Sequence, residues 1–191
     1  MLISIEGFHG TSLKSAEAIL NSNFQLSFGD KEWLGDGVYF FINGINKKPE
    51  EQAEKWAIAQ SWNNVTKIYD FNTYCVLKSE IIVEENNFLD LTSEDGIEVF
   101  EYLIERFEEK IKESGKKLEY LDGLLINLAR GEGILEVDVV KGNFYIKFAL
   151  ERIKRLNLRT NNCTICAVFK PKKNLKEIKI TKLGKIKSET I

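Results

Sequence analysis

The polar and apolar positions of the chain change their period several times, and each change marks an element. Ile3 to Phe8 alternates as a first strand does, and Gly7 and Gly10 predict a bend around Phe8 and His9. Thr11 or Ser12 then caps a helix whose apolar residues Leu13, Ala16, Ile19 and Leu20 recur at helical spacing. Residues 21 to 37 mix Asn, Ser, Gly and Asp with Phe24, Phe28 and Trp33, which suits an ordered loop, and Val38 to Ile42 is a short strand. Pro49, Glu50 and Glu51 open a second helix that packs through Ala53, Trp56 and Ala57.

Ile68 to Val83 is rich in β-branched and aromatic residues and predicts one long or two short strands. Ser93 to Ser114 is the clearest amphipathic helix, with Ile97, Phe100, Leu103, Ile104, Phe107 and Ile111 on one side and Gly115 as its stop. Tyr120 to Arg130 reads as helix and Ile134 to Val140 as strand, while residues 131 to 159 as a whole carry the weakest pattern. Cys163 to Phe169 and Leu175 to Leu183 form two closing strands around a turn at Pro171 and Lys172-Lys173. Irregular alternation of strands and helices points to an α+β fold.

Composition adds bounds. With 191 residues, 43% hydrophobic and 29% charged, the chain suits one globular domain over residues 1–191. The start Met-Leu-Ile-Ser-Ile-Glu-Gly lacks the basic and apolar segments of a secretion signal, and no apolar run approaches the ~20 residues of a membrane span. A cytoplasmic protein with no membrane partner is expected. Cys75, Cys163 and Cys166 are expected as free, mostly buried thiols. Cys163 and Cys166 lie three apart in a strand, hence on opposite faces, so no metal site is expected there. The net charge of −2 does not imply nucleic-acid binding, but residues 170–191 carry eight lysines against Glu177 and Glu189.

The candidate chemistry sits near the N-terminus. His9 is the sole histidine, and Gly10 and Thr11 follow it with room for backbone approach and a hydroxyl at a helix mouth. About thirty residues on, Gly35 and Gly37 flank Asp36 ahead of Tyr39-Phe40-Phe41, where a tyrosine can stack on a planar ring. Neither Gly35-Asp36-Gly37 nor Gly131-Glu132-Gly133 completes a dinucleotide fingerprint. Trp56 and Trp62 are read as core residues.

Phe8-His9-Gly10-Thr11, followed in order by Trp33-Leu34-Gly35-Asp36-Gly37-Val38-Tyr39-Phe40, resembles the His-Tyr-Glu group of ADP-ribosyltransferases. That group includes the diphtheria toxin catalytic domain and the poly(ADP-ribose) polymerases. The resemblance is strongest over residues 7 to 60. It implies an ADP-ribosyltransferase-like fold with a split central β-sheet flanked by helices, and NAD+ as co-substrate. His9 would bond the adenosine ribose, the Gly10 backbone the nicotinamide carboxamide, and Tyr39, followed by Phe40, would stack on the nicotinamide. Thr11 would touch the same ribose or cap the helix, and the loop carrying Phe28 and Trp33 would cover the donor.

The third position of the group departs from the pattern. Where its glutamate stands, this chain has Ile165, with Thr164 the nearest polar neighbour. Apolar residues there resemble mono-ADP-ribosyltransferases or inactive relatives. The acceptor can supply its own carboxylate or phosphate, Glu136 or Glu151 can enter the site, or the protein can bind NAD+ without turnover. The RNA 2′-phosphotransferases share a His-Gly-Thr element but look to need a second histidine, which this chain lacks.

The leading expectation is an NAD+-dependent mono-ADP-ribosyltransferase acting on a macromolecule. The lysine-rich end tilts the acceptor towards nucleic acid, RNA included, rather than protein. Such a small transferase suits a toxin or defence effector restrained by a separate antitoxin protein. The alternative is a catalytically silent NAD+ or ADP-ribose binding module.

Overall fold

A computed structural model describes residues 1–29, 31–113, 121–155 and 160–186. Among them the elements run β1 (Leu2–Ser12), α1 (Leu13–Ser22), β2 (Val38–Ile42), α2 (Pro49–Ser61), β3 (Thr73–Glu84) and β4 (Phe88–Asp90). They continue α3 (Glu94–Glu113), α4 (Leu121–Gly131), β5 (Val139–Tyr145), α5 (Ala149–Ile153), β6 (Asn162–Val168), α6 (Pro171–Asn174) and β7 (Leu175–Lys185). The strands form one mixed, seven-stranded sheet in the order β4-β5-β6-β2-β1-β3-β7, so the fold is α+β. Only β4 and β5 pair in parallel; the other neighbours are antiparallel.

Strand alternation divides the core between the two faces of this sheet. Phe8, Phe41, Cys163, Ile165 and Ala167 point to the first face, where they meet Ala53 of α2, Ile126 of α4 and Phe148. Val38, Phe40, Ile42, Leu77 and Cys166 point to the second, against Ala16 of α1 and Phe24. Cys163 and Cys166 therefore do lie on opposite faces, and all three cysteines are buried free thiols. A third cluster joins α3 to α4 through Leu103, Phe107, Ile111, Leu125 and Ala129.

Three local expectations need correction. No bend interrupts β1, which pairs with β3 without a break from Leu2↔Glu84 to Ser12↔Tyr74. Its glycines answer to packing instead: a Cβ on Gly7 would come within 2.8 Å of Ile81, and one on Gly10 within 1.8 Å of the Ala53 carbonyl oxygen. β3 starts at Thr73 rather than Ile68, because the chain before it closes an isolated bridge between Trp62 and Tyr69. The strand expected at Ile134 to Val140 begins only at Val139, since the Ile134 and Leu135 amides are taken up by the Ala129 carbonyl at the end of α4. β5 then runs on through polar residues that find partners on neighbouring strands: Lys141 pairs with Asp90 at 2.8 Å, and Asn143 accepts from Thr164 at 2.7 Å.

The short β4 escaped notice for want of a pattern in three residues. Ser12, not Thr11, caps α1, its Oγ accepting from the Ser15 amide at 3.1 Å. Ser114, Gly115 and Tyr120, expected at helix ends, lie outside the described residues, as do Lys187 and Glu189.

Candidate functional site

The site is made by an interrupted ladder. β1 and β2 pair only at Gly7↔Ile42 and Phe8↔Phe41. Past that point β1 stays with β3 as far as Ser12, while β2 stays with β6 from Phe41↔Ile165 to Val38↔Val168. Each strand is held by its outer neighbour, and the two separate where His9-Gly10 faces Tyr39-Phe40. A cavity of about 710 Å³ opens at this separation, within the size range of small-molecule sites.

One hydrogen bond spans the separation: His9 Nδ1 lies 2.8 Å from the Tyr39 carbonyl oxygen. A carbonyl only accepts, so Nδ1 carries the hydrogen. Burial pushes the His9 pKa below its ordinary value of 6.5, outweighing the opposing effect of that bond. The ring is therefore neutral near pH 7, and its Nε2 is an acceptor, suited to a hydroxyl donor. The edges of Phe24, at 5.1 Å between ring centroids, and the tilted ring of Phe40, at 5.8 Å, hold the imidazole in place.

Tyr39 projects to the opposite face. Its hydroxyl donates to the Gly35 carbonyl at 2.7 Å and accepts from the Leu34 amide at 2.8 Å. Burial, partly offset by the Leu34 bond, drives its pKa well above the usual phenol range, so it remains protonated. The hydroxyl is thus committed to the loop, and Tyr39 lines the cavity. Gly35 adopts φ +83°, which favours glycine, and Asn127 of α4 fastens the next residue by accepting from the Asp36 amide at 2.9 Å.

Of the residues expected from sequence, His9, Gly10, Trp33, Tyr39, Phe40 and Ile165 line the cavity. Phe40 is fully buried and buttresses His9. Gly10 lines the cavity, and α2 crosses it so closely that a Cβ there would meet the Ala53 carbonyl oxygen. Thr11 and Phe28 are not part of the wall. Thr11 pairs with Cys75 within the continuous β1–β3 ladder, and Phe28 is 70% exposed. Trp33 stacks on Phe144 at 5.6 Å and meets Trp56 edge-on at 5.7 Å. Trp56 is thus a wall residue and not merely core, whereas Trp62 packs on Tyr69 outside the cavity.

Ile165 is 2% exposed and paired with Phe41. Thr164 is buried and engaged elsewhere, donating to Asn143 and accepting from the Ile45 amide at 3.0 Å. Neither Glu136, which is exposed, nor Glu151 lines the cavity. Glu151, buried in the first turn of α5, accepts from the Phe148 amide at 3.1 Å and from the Asn161 side chain.

α5 instead contributes Arg152, whose guanidinium lies 4.6 Å from the Trp56 ring centroid while its Nε donates to the Lys147 carbonyl at 2.7 Å. Lys31 and Glu32 from the α1–β2 loop complete the charged lining. Sequence reasoning missed Glu32, Lys31, Arg152 and Asn127. Adjacency to Trp33 was the one available signal for Lys31 and Glu32, and none existed for Arg152 or Asn127.

Among the described residues, no cluster of His, Cys, Asp or Glu could hold a metal ion, and no helix is long and apolar enough to cross a membrane. No protein-family profile matches the chain. An uncharacterized protein of Methanocaldococcus jannaschii is 40% identical over 86 residues, which is 44% of this chain. The same stretch spans 36% of that protein, so the similarity covers little more than a third of the relative's length.

Proposed function

We propose that this protein adopts an ADP-ribosyltransferase-like fold, binds NAD+ in the cleft between β1 and β2, and transfers one ADP-ribose unit to a macromolecular acceptor. The observation that carries the reading is the parting of β1 from β2 where the two motifs of the resemblance meet. The chemistry of the lining supports it. Neutral His9 offers Nε2 to a ribose hydroxyl, the Tyr39 ring offers a face to nicotinamide, and Lys31 and Arg152 bring positive charge for a diphosphate.

Departure of nicotinamide leaves positive charge on the ribose, so this reaction rests on orientation and electrostatic stabilisation. Chain elongation is disfavoured by Ile165, which puts no carboxylate at the position the group uses. That same residue supports the second reading, a silent NAD+ binding module.

The acceptor is less defined than the donor. Lys170 and Lys173 both approach the buried Asp138 at 2.7 Å, and Lys182 pairs with Glu54, so part of the basic end is already neutralised. Exposed Lys172, Lys176, Lys179 and Lys185 remain to favour a nucleic-acid acceptor over protein.

Calorimetry with NAD+, followed by label transfer from labelled NAD+ to RNA or lysate protein, tests the proposal. Wild type is expected to bind and to label, and His9→Ala and Tyr39→Ala to lose both. Absence of NAD+ binding by wild type overturns the reading, and binding without glycosidic cleavage leaves the silent module.

A further inference from the structure

Among the described residues that line the cavity, Glu32 is the sole carboxylate. We propose that Glu32 does the work of the acid missing at Ile165, accepting the proton of the attacking group from the loop side of the cleft instead of from β6. The inference rests on the proposed NAD+ reading and extends it by naming the base.

Three features place this side chain. Its Oε1 accepts from Ser27 Oγ at 2.6 Å, which restrains the carboxylate and leaves it further lone pairs. It lines the cavity together with Trp33 and Tyr39. Its backbone is pinned from behind: the Glu32 carbonyl oxygen packs so tightly on α4 that a Cβ at Gly123 would come within 1.8 Å of it. The next residues are fixed as well, by the bonds from Tyr39 to Leu34 and Gly35. Glu32 is therefore a partly buried group on the cavity wall whose backbone is held against α4.

The step balances without a further reactant. The bond between the ribose anomeric carbon and the nicotinamide nitrogen breaks, and its electron pair returns to the pyridinium ring, so nicotinamide leaves neutral. The acceptor lone pair forms the new bond at the anomeric carbon, and the acceptor proton passes to the Glu32 carboxylate. A positioned general base of this kind contributes about 10²–10⁴-fold to rate.

The test compares Glu32→Gln and Glu32→Asp with wild type and with Glu136→Gln, an exposed control outside the cavity. Calorimetry measures NAD+ affinity, and nicotinamide release measures cleavage. The expected result is affinity within about threefold of wild type for E32Q, nicotinamide release lowered by ~10²-fold or more, partial recovery in E32D, and no change in E136Q. Wild-type turnover by E32Q overturns the role of Glu32 and leaves the NAD+ reading intact. So does wild-type binding without any nicotinamide release, since there is then no step for a base. Failure of wild type to bind NAD+ overturns both together.

Discussion

The two edges of β1 have opposite fates. Towards β3 it is paired along its whole length, from Leu2 to Ser12; towards β2 it is paired only at Gly7 and Phe8. The paired edge is a platform, because every ladder position restrains the next. The unpaired edge is where the chain has polar main-chain and side-chain groups to spend on a ligand, and His9 bridges it with a bond to a carbonyl instead of a ladder. The contrast shows how a sheet can hold a cleft without losing rigidity: each strand at the opening is braced by its other neighbour, β3 for β1 and β6 for β2.

The largest expected effect comes from disturbing the brace. Gly10→Ala drives a methyl group into the Ala53 carbonyl and Ala57, so α2 must move away from β1. A loss of about 3 kcal/mol is expected, read as a lower denaturation midpoint with an unchanged slope. A stability change below about 0.5 kcal/mol would show that α2 yields easily and that packing does not require the glycine.

A smaller effect should come from the bridge itself. The native His9 pKa lies below the ordinary imidazole value of 6.5, so on acidification the unfolded chain takes up a proton before the native state does. Stability contributed by neutral His9 is thus present above pH ~6.5 and is lost as pH falls below it, towards the depressed native value. His9→Asn, which can still donate to the Tyr39 carbonyl but cannot titrate, should show a shallower fall in stability over that window. Identical pH profiles for the two proteins would place the imidazole in solvent.

The smallest effects should mark the limits of the cleft. Phe28→Ala and Thr11→Val change residues that do not line the cavity, so NAD+ affinity is expected to move by less than about twofold, or ~0.4 kcal/mol. A tenfold loss in Phe28→Ala, seen by the same calorimetry, would mean that the α1–β2 loop folds over the donor when it binds.

The site was legible only in part. His9 and Tyr39 stand out because a sole histidine and a tyrosine behind paired glycines are chemically conspicuous, and both reach the cavity. Thr11 and Phe28 share those short segments yet do not reach it, because adjacency in sequence does not decide direction in space. Arg152 and Asn127 come from helices more than eighty residues away from Tyr39, and nothing local announces that α5 and α4 turn them towards the cleft and its loop.

Local patterning determined the elements it could: the period-2 and period-3.6 runs placed β1, β2, α1, α2 and α3 within a few residues, and the opposite faces of Cys163 and Cys166 followed from strand geometry alone. The strand order, the early end of the β1–β2 ladder and the identity of the cavity's carboxylate were decided by tertiary structure. These depend on pairings between residues some thirty to more than a hundred positions apart, such as Phe8 with Phe41 and Phe41 with Ile165. A hydrophobic period records which side of an element is buried, but it carries no information about which other element covers it.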